Sequence, residues 1–156
     1  MSWYIGLMTG TVLDGNIDVA FLRTDGKTIE KFGYYDLVPY SEGVKSLIIS
    51  ALNEAKRWNF IGKEPEIFSK AEAALTKSQA EAVKKCIKLA GINKKEISAI
   101  GFHGQTVLHR PANRVLKGAT RQLGDGQAMA NTLDIPVVYD FRTHDIEEGG
   151  QGAPLC

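Results

Sequence analysis

The spacing of the apolar residues changes near Ser41, and this change constrains the fold more than any other feature of the sequence. Before it, three apolar runs of strand length, Trp3 to Met8, Ile17 to Arg23 and Lys27 to Val38, are separated by turns rich in glycine and aspartate. The dipeptide Asp25-Gly26, between the second and third runs, is typical of a hairpin turn. The chain is therefore predicted to begin with a three-stranded meander.

After Ser41 the apolar residues recur with the period of a helix. One helix is predicted to begin at Ser41-Glu42, and a longer one is predicted from Glu66 to Ala90, where Gly91 ends it. This order predicts an α/β fold with a mixed sheet and flanking helices, as one domain over residues 1–156. The shorter elements predicted after Gly91 are a strand Ile97 to Phe102, a short strand Arg121 to Leu123, a helix Gly126 to Leu133 and a strand Ile135 to Tyr139.

Composition and charge argue against several classes of protein. The formal net charge is +1 and the lysines and arginines are spread along the chain, which argues against a basic face for nucleic acid. No stretch approaches the length of a membrane span, and the opening Met1 to Tyr4 has no basic targeting region. Cys86 and Cys156 have no metal-ligand partners at useful spacing, so the sequence favours a reduced, cytoplasmic protein.

The first candidate binding motif is the turn between the first two predicted strands, Gly10-Thr11-Val12-Leu13-Asp14-Gly15-Asn16. Glycines allow a positive φ, and successive backbone N–H groups in such a turn can bind an anion. The Asp14 carboxylate repels phosphate, but it is a suitable ligand for Mg²⁺, which in turn binds phosphate. A plain hairpin explains these residues equally well, because Asp-Gly is a common hairpin signal.

The second candidate motif, Gly101-Phe102-His103-Gly104-Gln105-Thr106, lies at the C-terminal end of the fourth predicted strand. Open α/β sheets bind ligands at this end of their strands. Gln105 and Thr106 offer the mixed donors and acceptors that sugar hydroxyls need. His103 has three open roles, as a base, as a ligand of a hydroxyl or as a packed side chain, and packing is favoured.

The third candidate motif is Asp140-Phe141-Arg142-Thr143-His144-Asp145, followed by the glycine-rich Gly149 to Pro154. Arg142 suits bidentate pairing with a carboxylate or phosphate. A solvated loop with an internal Arg–Asp pair explains the motif as well. A weaker candidate, Gly124-Asp125-Gly126, precedes a predicted helix, and Asp125 is predicted to cap that helix.

Two other functions stay open from the residues alone. One is a non-catalytic ligand-binding or interaction fragment of the same fold. The other is a metal-dependent hydrolase, since histidines and carboxylates build such sites, although no helical His-x-x-x-His spacing is present. The hydrolase would use His103, His109, His144, Asp140 and Asp145.

Taken together, the motifs resemble the anhydro-N-acetylmuramic acid kinases. The matching blocks occur in the family's order and cover essentially the whole chain, so the combination is highly specific. The blocks are Tyr4 to Thr11, Leu13 to Gly15 with Asp18, Ala99 to Thr106 with His109 and Pro111, Gln122 to Asp125, Asp140 to Arg142 with Asp145, and Gly149 to Leu155.

The resemblance implies a ribonuclease H-like, actin-like ATPase fold. It implies an ATP- and Mg²⁺-dependent sugar kinase of cell-wall recycling, which opens the 1,6-anhydro ring with water and phosphorylates O6. It is compatible with a homodimer of the complete protein. The residues implied to bind the nucleotide are Gly10, Thr11, Val12, Leu13, Asp14, Gly15, Asn16 and Asp18, with Asp14 also the metal ligand. Those implied to contact the sugar are His103, Gln105, Thr106, Asp140 and Arg142, where Thr106 matches the family's sugar-contacting threonine.

The sequence departs from the family pattern at several positions. Val12 replaces the family's serine, and Asn16-Ile17 adds one residue before Asp18. The family's run of arginines is reduced to Arg142, with Thr143 and His144 following. Complete members are much longer, and the resemblance implies that their general base lies beyond the point matching Cys156. The chain is therefore expected to be a truncated form without a catalytic base and without activity of its own.

Overall fold

The computed structural model describes residues 1–9 and 14–153, which form a three-stranded meander, then two helices, and then four further strands with two short helices. The strands are β1 (Ser2–Met8), β2 (Asn16–Thr24), β3 (Ile29–Pro39), β4 (Ile97–Phe102), β5 (Gln105–Arg110), β6 (Ala119–Leu123) and β7 (Val137–Tyr139). The helices are α1 (Glu42–Trp58), α2 (Ile67–Ala90), α3 (Gly126–Leu133) and α4 (Thr143–Glu147), and a short 3-10 turn, Lys94–Glu96, precedes β4.

Five strands form one mixed sheet in the order β3-β2-β1-β4-β7. The first three strands are antiparallel, as the hairpin signal at Asp25-Gly26 predicts, whereas β4 pairs parallel with β1 and β7 pairs parallel with β4. The mixed sheet with flanking helices confirms the predicted fold class. Because β1, β4 and β7 run in the same direction, their C-terminal ends meet at one edge, called here the carboxyl edge.

One strand and one α-helix are additional to those that the sequence predicts. Gln105–Arg110 forms β5, which pairs with β6 in a separate two-stranded sheet, and Thr143–Glu147 forms α4. The alternation in β5 is short, and its partner begins only at Ala119, so the pairing depends on contacts that are distant in sequence. In α4 only Ile146 is buried, which leaves no apolar period to detect.

One face of the five-stranded sheet packs against α1, α2 and α3. Burying each large aliphatic side chain there contributes about 1.5–3 kcal/mol. The sheet residues in this core include Trp3, Ile5 and Leu7 from β1 and Ile17, Val19 and Phe21 from β2. The helix residues include Ile48 from α1, Leu75 and Val83 from α2, and Met129 from α3.

The other face of the sheet, called here the outer face, is largely apolar and exposed in the part of the chain that the structure describes. Gly6, opposite Ala20 and Gly101 in the pairing register, forms a row of small residues across three strands. Larger apolar side chains beside this row are exposed, with Phe32 at 78% and Met8 at 58%. Phe141 is the nearest neighbour of Gly101 on this side.

The ends of the helices follow the capping signals of the sequence. The Ser41 hydroxyl accepts a hydrogen bond from the backbone N–H of Val44 at the start of α1, and Gly91 ends α2 in the left-handed conformation. Asp125 caps α3 through a 2.8 Å bond from the N–H of Ala128, which confirms its predicted role. Across residues 1–9 and 14–153, no helix combines the length and the apolarity needed to cross a bilayer.

Candidate functional site

The second and third predicted motifs come together at the carboxyl edge, where β1, β4 and β7 end. A buried hydrogen bond also joins the end of β1 to the second motif, because the hydroxyl of Thr9, directly after β1, donates to the carbonyl oxygen of Gly104 at 3.2 Å. Gly104 has a φ of +68°, and a Cβ there would collide with the carbonyl of Leu123. Only glycine therefore fits at this junction of β4, β5 and β6.

The turn between β1 and β2 is described from Asp14 onwards, while Gly10, Thr11, Val12 and Leu13 lie outside the described residues. Asp14 is exposed, and one of its carboxylate oxygens accepts the N–H of Asn16 at 2.9 Å. The N–H of Tyr40 donates to the carbonyl of Gly15 at 2.8 Å, which ties the turn to the segment before α1. Asp18 lies on the outer face, where the Tyr35 hydroxyl donates to it at 3.1 Å.

Tyr40 in turn is held by the core. Its ring is buried, and its hydroxyl oxygen accepts a 2.7 Å hydrogen bond from the side-chain amide of Gln79 on α2. Burial raises the pKa of the Tyr40 hydroxyl well above its ordinary value, because the ionised form loses hydration; the Gln79 bond opposes this shift. The turn is thus anchored to a neutral, buried phenol at neutral pH.

Both nitrogens of the His103 ring are engaged. The guanidinium Nε of Arg142 is 2.9 Å from Nε2 of His103, and Nδ1 is 2.9 Å from the carbonyl oxygen of Gly104. Because arginine only donates, Nε2 must accept, and the ring proton must lie on Nδ1 and be donated to Gly104. His103 is therefore a neutral ring that fixes the turn after β4.

Arg142 also connects this turn to the glycine-rich segment that follows α4. Its Nη1 donates to the carbonyl of Gly152 at 2.8 Å. The Asp145 side chain accepts the N–H of Gly152 at 2.7 Å, and its backbone carbonyl accepts the N–H of Gly150 at 2.7 Å. Arg142 and Asp145 do not form an ion pair with each other; they each hold Gly152.

Between the β5–β6 hairpin and the end of β7 lies a cleft of about 210 Å³, called here the polar cleft. Of the five predicted sugar-contacting residues, His103 and Asp140 line it. The sequence motifs contain six of the nine lining residues, and only Thr120, Arg121 and Tyr139 lie outside them. Thr120 shares the side of β6 that carries Gln122. The lining residues are Phe102, His103, Thr120, Arg121, Gln122, Gly124, Tyr139, Asp140 and Thr143.

Gln105 and Thr106 have different surroundings because neighbouring strand residues face opposite ways. Gln105 is 1% exposed, and its amide nitrogen donates to the carbonyl of Thr106 while its side-chain oxygen has no partner among the described residues. The Thr106 hydroxyl oxygen accepts a 3.3 Å bond from the side-chain amide of Gln122, which lines the polar cleft. Thr106 is thus the nearer of the two to the cleft lining.

Asp140 adopts a left-handed backbone conformation with a φ of +56°, which is uncommon for a residue with a side chain. The hydroxyl of Thr143 donates to its carboxylate at 2.5 Å. Both residues line the polar cleft, so the strained backbone and the hydroxyl together set the direction of one carboxylate at its rim.

Helix α2 braces the opposite wall of the cleft. Glu72 accepts hydrogen bonds from the N–H of Gly124 and from Arg121, and Arg121 also forms a two-bond ion pair with Glu64. Burial disfavours the charge of Arg121, but the bonds to Glu64 and Glu72 outweigh it, so its pKa is raised. The Thr76 hydroxyl accepts the N–H of Asp125 at 3.0 Å.

The residues of the metal-dependent hydrolase hypothesis are not assembled into a metal site. His103 uses both ring nitrogens as described, and Nδ1 of His109 is 3.2 Å from the Thr120 hydroxyl. Within residues 1–9 and 14–153, no three histidine, cysteine, aspartate or glutamate side chains are grouped as a metal ion requires. The hydrolase hypothesis therefore receives no support from this geometry.

Comparison with known proteins identifies the family. The family model described as anhydro-N-acetylmuramic acid kinase matches residues 2–156. Proteins named anhydro-N-acetylmuramic acid kinase from Mesorhizobium japonicum and Brucella anthropi are 54% and 56% identical over 154 residues, which is 99% of this chain and 42% of each relative. The protein named anhydro-N-acetylmuramic acid kinase 2 from Jannaschia sp. (strain CCS1) is 54% identical over 155 residues, 99% of this chain and 41% of that relative. The chain thus spans about two-fifths of the length of these relatives. It belongs to the anhydro-N-acetylmuramic acid kinase family.

Proposed function

We propose that this chain is the phosphate-binding and partly sugar-binding portion of an ATP-dependent kinase. The reaction adds water at the anomeric carbon of 1,6-anhydro-N-acetylmuramic acid, breaks the 1,6-anhydro bond and transfers the γ-phosphoryl group of ATP to O6. The products are N-acetylmuramic acid 6-phosphate and ADP. The complete protein acts in cytoplasmic recycling of cell-wall sugar.

The observation that carries this proposal is that the ends of β1, β4 and β7 are bonded to one another at the carboxyl edge. The Thr9–Gly104 hydrogen bond connects the end of β1 to the turn after β4, and the Arg142–His103 bond connects the latter to the turn after β7. Phosphoryl transfer depends on holding donor and acceptor in fixed relative positions. Two adjacent, mutually bonded loops supply such positions for a nucleotide and a sugar.

The polar cleft suits a sugar because hydroxyl groups need both donors and acceptors at close range. Asp140 accepts hydrogen bonds, Gln122 does both, and Tyr139 adds an aromatic ring to the lining. The Thr106 hydroxyl has its oxygen engaged by Gln122, which leaves its proton free to be donated to a sugar oxygen. His103 and Arg142 then act by fixing the wall of the cleft.

The nucleotide turn suits a hard cation. One oxygen of the Asp14 carboxylate accepts the N–H of Asn16, and among the described residues none bonds to the other oxygen. An exposed carboxylate held in this way fits Mg²⁺ or its bound water. When bound, Mg²⁺ would neutralise phosphate charge. Asp14 would fix its position relative to the backbone of the turn.

We assign no general base within this chain. His103 has both nitrogens engaged, and Asp140 is held by Thr143. We place the base in the part of the relatives that lies beyond the matched two-fifths, and we expect no turnover from the 156-residue chain alone, since loss of a general base typically lowers a rate by about 10²–10⁴. Whether the complete protein is a homodimer stays a prediction.

The proposal is tested with a chimera. Residues 1–156 replace the matching segment of the Mesorhizobium japonicum relative, and ADP and the sugar 6-phosphate are measured with ATP, Mg²⁺ and the anhydro-sugar. The unmodified relative is assayed in parallel as the reference. We expect the chimera to turn over, and residues 1–156 alone to be inactive.

A folded chimera, with a circular dichroism spectrum and a cooperative melt like those of the relative, that makes no 6-phosphate would contradict the proposal. Turnover by residues 1–156 alone would contradict the placement of the base.

A further inference from the structure

The nucleotide-binding turn, as assigned above, lacks a positively charged group. The residues assigned to nucleotide binding include two aspartates, Asp14 and Asp18, but no lysine or arginine. A triphosphate is strongly anionic, and phosphate-binding loops in general add a lysine or arginine to the backbone N–H groups and the metal ion. A cation from another element is therefore expected beside the turn.

Lys45, in the first turns of α1, lies against this turn. A Cβ placed on Gly15 would be 3.4 Å from the Nζ of Lys45 and 3.6 Å from its Cε. These are ordinary contact distances, so the end of the lysine side chain lies directly beside Gly15. Gly15 has a φ of +87°, a conformation that glycine adopts without strain.

Backbone hydrogen bonds hold the start of α1, which carries Lys45, beside the turn. The N–H of Tyr40 bonds to the carbonyl of Gly15, so the turn and the start of α1 are held together by the backbone. Ser41 caps the helix, and its carbonyl accepts the N–H of Lys45 at 3.0 Å. An ammonium group held beside a loop needs less ordering on binding than a lysine on a free surface.

The charge of Lys45 is available to a ligand. The ion pairs among the described residues involve Lys85 and Lys94 but not Lys45, so no described carboxylate lies within ion-pair distance of its ammonium group. The side chain is only partly buried, which leaves the group hydrated and accessible. An unpaired cation adjacent to a glycine turn favours an anion, not an internal structural role.

We propose that Lys45 binds the polyphosphate of the nucleotide beside Gly15, at the described end of the turn. This inference rests on the proposed function and adds to it a residue outside the turn. It predicts that polyphosphate affinity, but not sugar affinity, depends on the charge at position 45. It also predicts that polyphosphate affinity falls as the salt concentration rises. This fall should be smaller in a variant without the charge at position 45 than in wild type.

The test measures binding of magnesium tripolyphosphate and of MgATP to the 156-residue chain by isothermal titration calorimetry. Four proteins are compared: wild type, Lys45→Gln, Lys45→Arg and the matched control Lys56→Gln, which removes an exposed lysine from the last turn of the same helix. We expect Lys45→Gln to bind both ligands about tenfold more weakly, as the loss of one charge-assisted hydrogen bond implies. Lys45→Arg and Lys56→Gln should stay within about twofold to threefold of wild type.

The outcomes separate the inference from the proposed function. Binding by wild type with equal affinity for Lys45→Gln would overturn the inference and leave the proposed function standing. Absence of binding to wild type would overturn the nucleotide assignment of the turn and the inference together. Equal weakening by Lys45→Gln and Lys56→Gln would show a nonspecific charge effect and would also overturn the inference.

Discussion

The guanidinium Nε of Arg142 donates a 2.9 Å hydrogen bond to Nε2 of His103, so that the histidine accepts from one loop while donating to the carbonyl of Gly104. This arrangement gives His103 a supporting role in the described state, since neither ring nitrogen is free to take a proton from a substrate. The two residues are separated by 39 positions in sequence, and their contact links the ends of β4 and β7.

The first prediction concerns this contact. Arg142→Lys should lower the free energy of unfolding by about 1–3 kcal/mol, because one ammonium cannot reproduce the separate bonds from Nε to His103 and from Nη1 to Gly152. The affinity for the anhydro-sugar should also fall, because the wall of the polar cleft becomes less rigid. Urea unfolding measures the free energy of unfolding, and calorimetry measures the binding of the anhydro-sugar. Arg114→Lys, at an exposed loop position, is the matched control, and an Arg142→Lys protein indistinguishable from it would show that the contact contributes nothing.

The second prediction concerns Asp14. In the chimera, Asp14→Asn should lower turnover by more than about tenfold, since the metal loses a carboxylate ligand. The melting temperature should hardly change, because the asparagine side-chain oxygen can still accept the N–H of Asn16. Asp25→Asn is the matched control, since Asp25 supports its own turn in the same way through Lys27 and Thr28. Full activity of Asp14→Asn would mean that the turn is only a hairpin.

The third prediction concerns Thr106. Thr106→Val removes the hydroxyl at nearly constant volume and should weaken sugar binding by about 1–3 kcal/mol while leaving ATP binding intact. The reason is that the hydroxyl proton is free to be donated, as its oxygen already accepts from Gln122. Thr132→Val, on the exposed side of α3, provides the comparison. Equal losses for sugar and nucleotide would point to damage of the fold and would refute the assignment.

The fourth prediction concerns stability at alkaline pH. Burial raises the pKa of Tyr40 above its ordinary value of 10.0, so the folded protein keeps this proton to a higher pH than the unfolded chain does. The corresponding stabilisation is complete below about pH 10 and decreases as the pH rises further. Urea unfolding at about pH 8.5 and about pH 10.5 should show a loss of stability in wild type that is smaller in Tyr40→Phe. Parallel losses in the two proteins would exclude Tyr40 as the cause.

Most of the fold follows from local signals in the sequence. The Asp25-Gly26 hairpin, the glycine that ends α2 and the aspartate that caps α3 are each decided by backbone conformation or by one nearby hydrogen bond. Strand β5 is different, because its residues alternate over a short span and its partner β6 lies beyond a loop. Its formation depends on tertiary contacts, which no local pattern records.

In the candidate site, too, local sequence signals locate one part and tertiary contacts determine the other. The turns at the carboxyl edge can be located from the sequence, because glycine and polar residues follow buried strands. The walls of the polar cleft cannot, since Thr120 and Gln122 reach it through the β5–β6 pairing and Glu72 braces Gly124 across 52 positions. The opposite surroundings of Gln105 and Thr106 likewise become evident only once β5 is recognised as a strand.

The exposed outer face has a practical consequence for anyone handling the 156-residue chain. Phe32, Tyr35 and Met8 are each more than half exposed on this face, so the molecule presents an extended apolar surface to the solvent. Proteins with such a surface adsorb at air–water boundaries and on plastic, and their concentration in dilute stocks falls with time. Chaperones that recognise extended apolar surface are expected to retain the chain during expression.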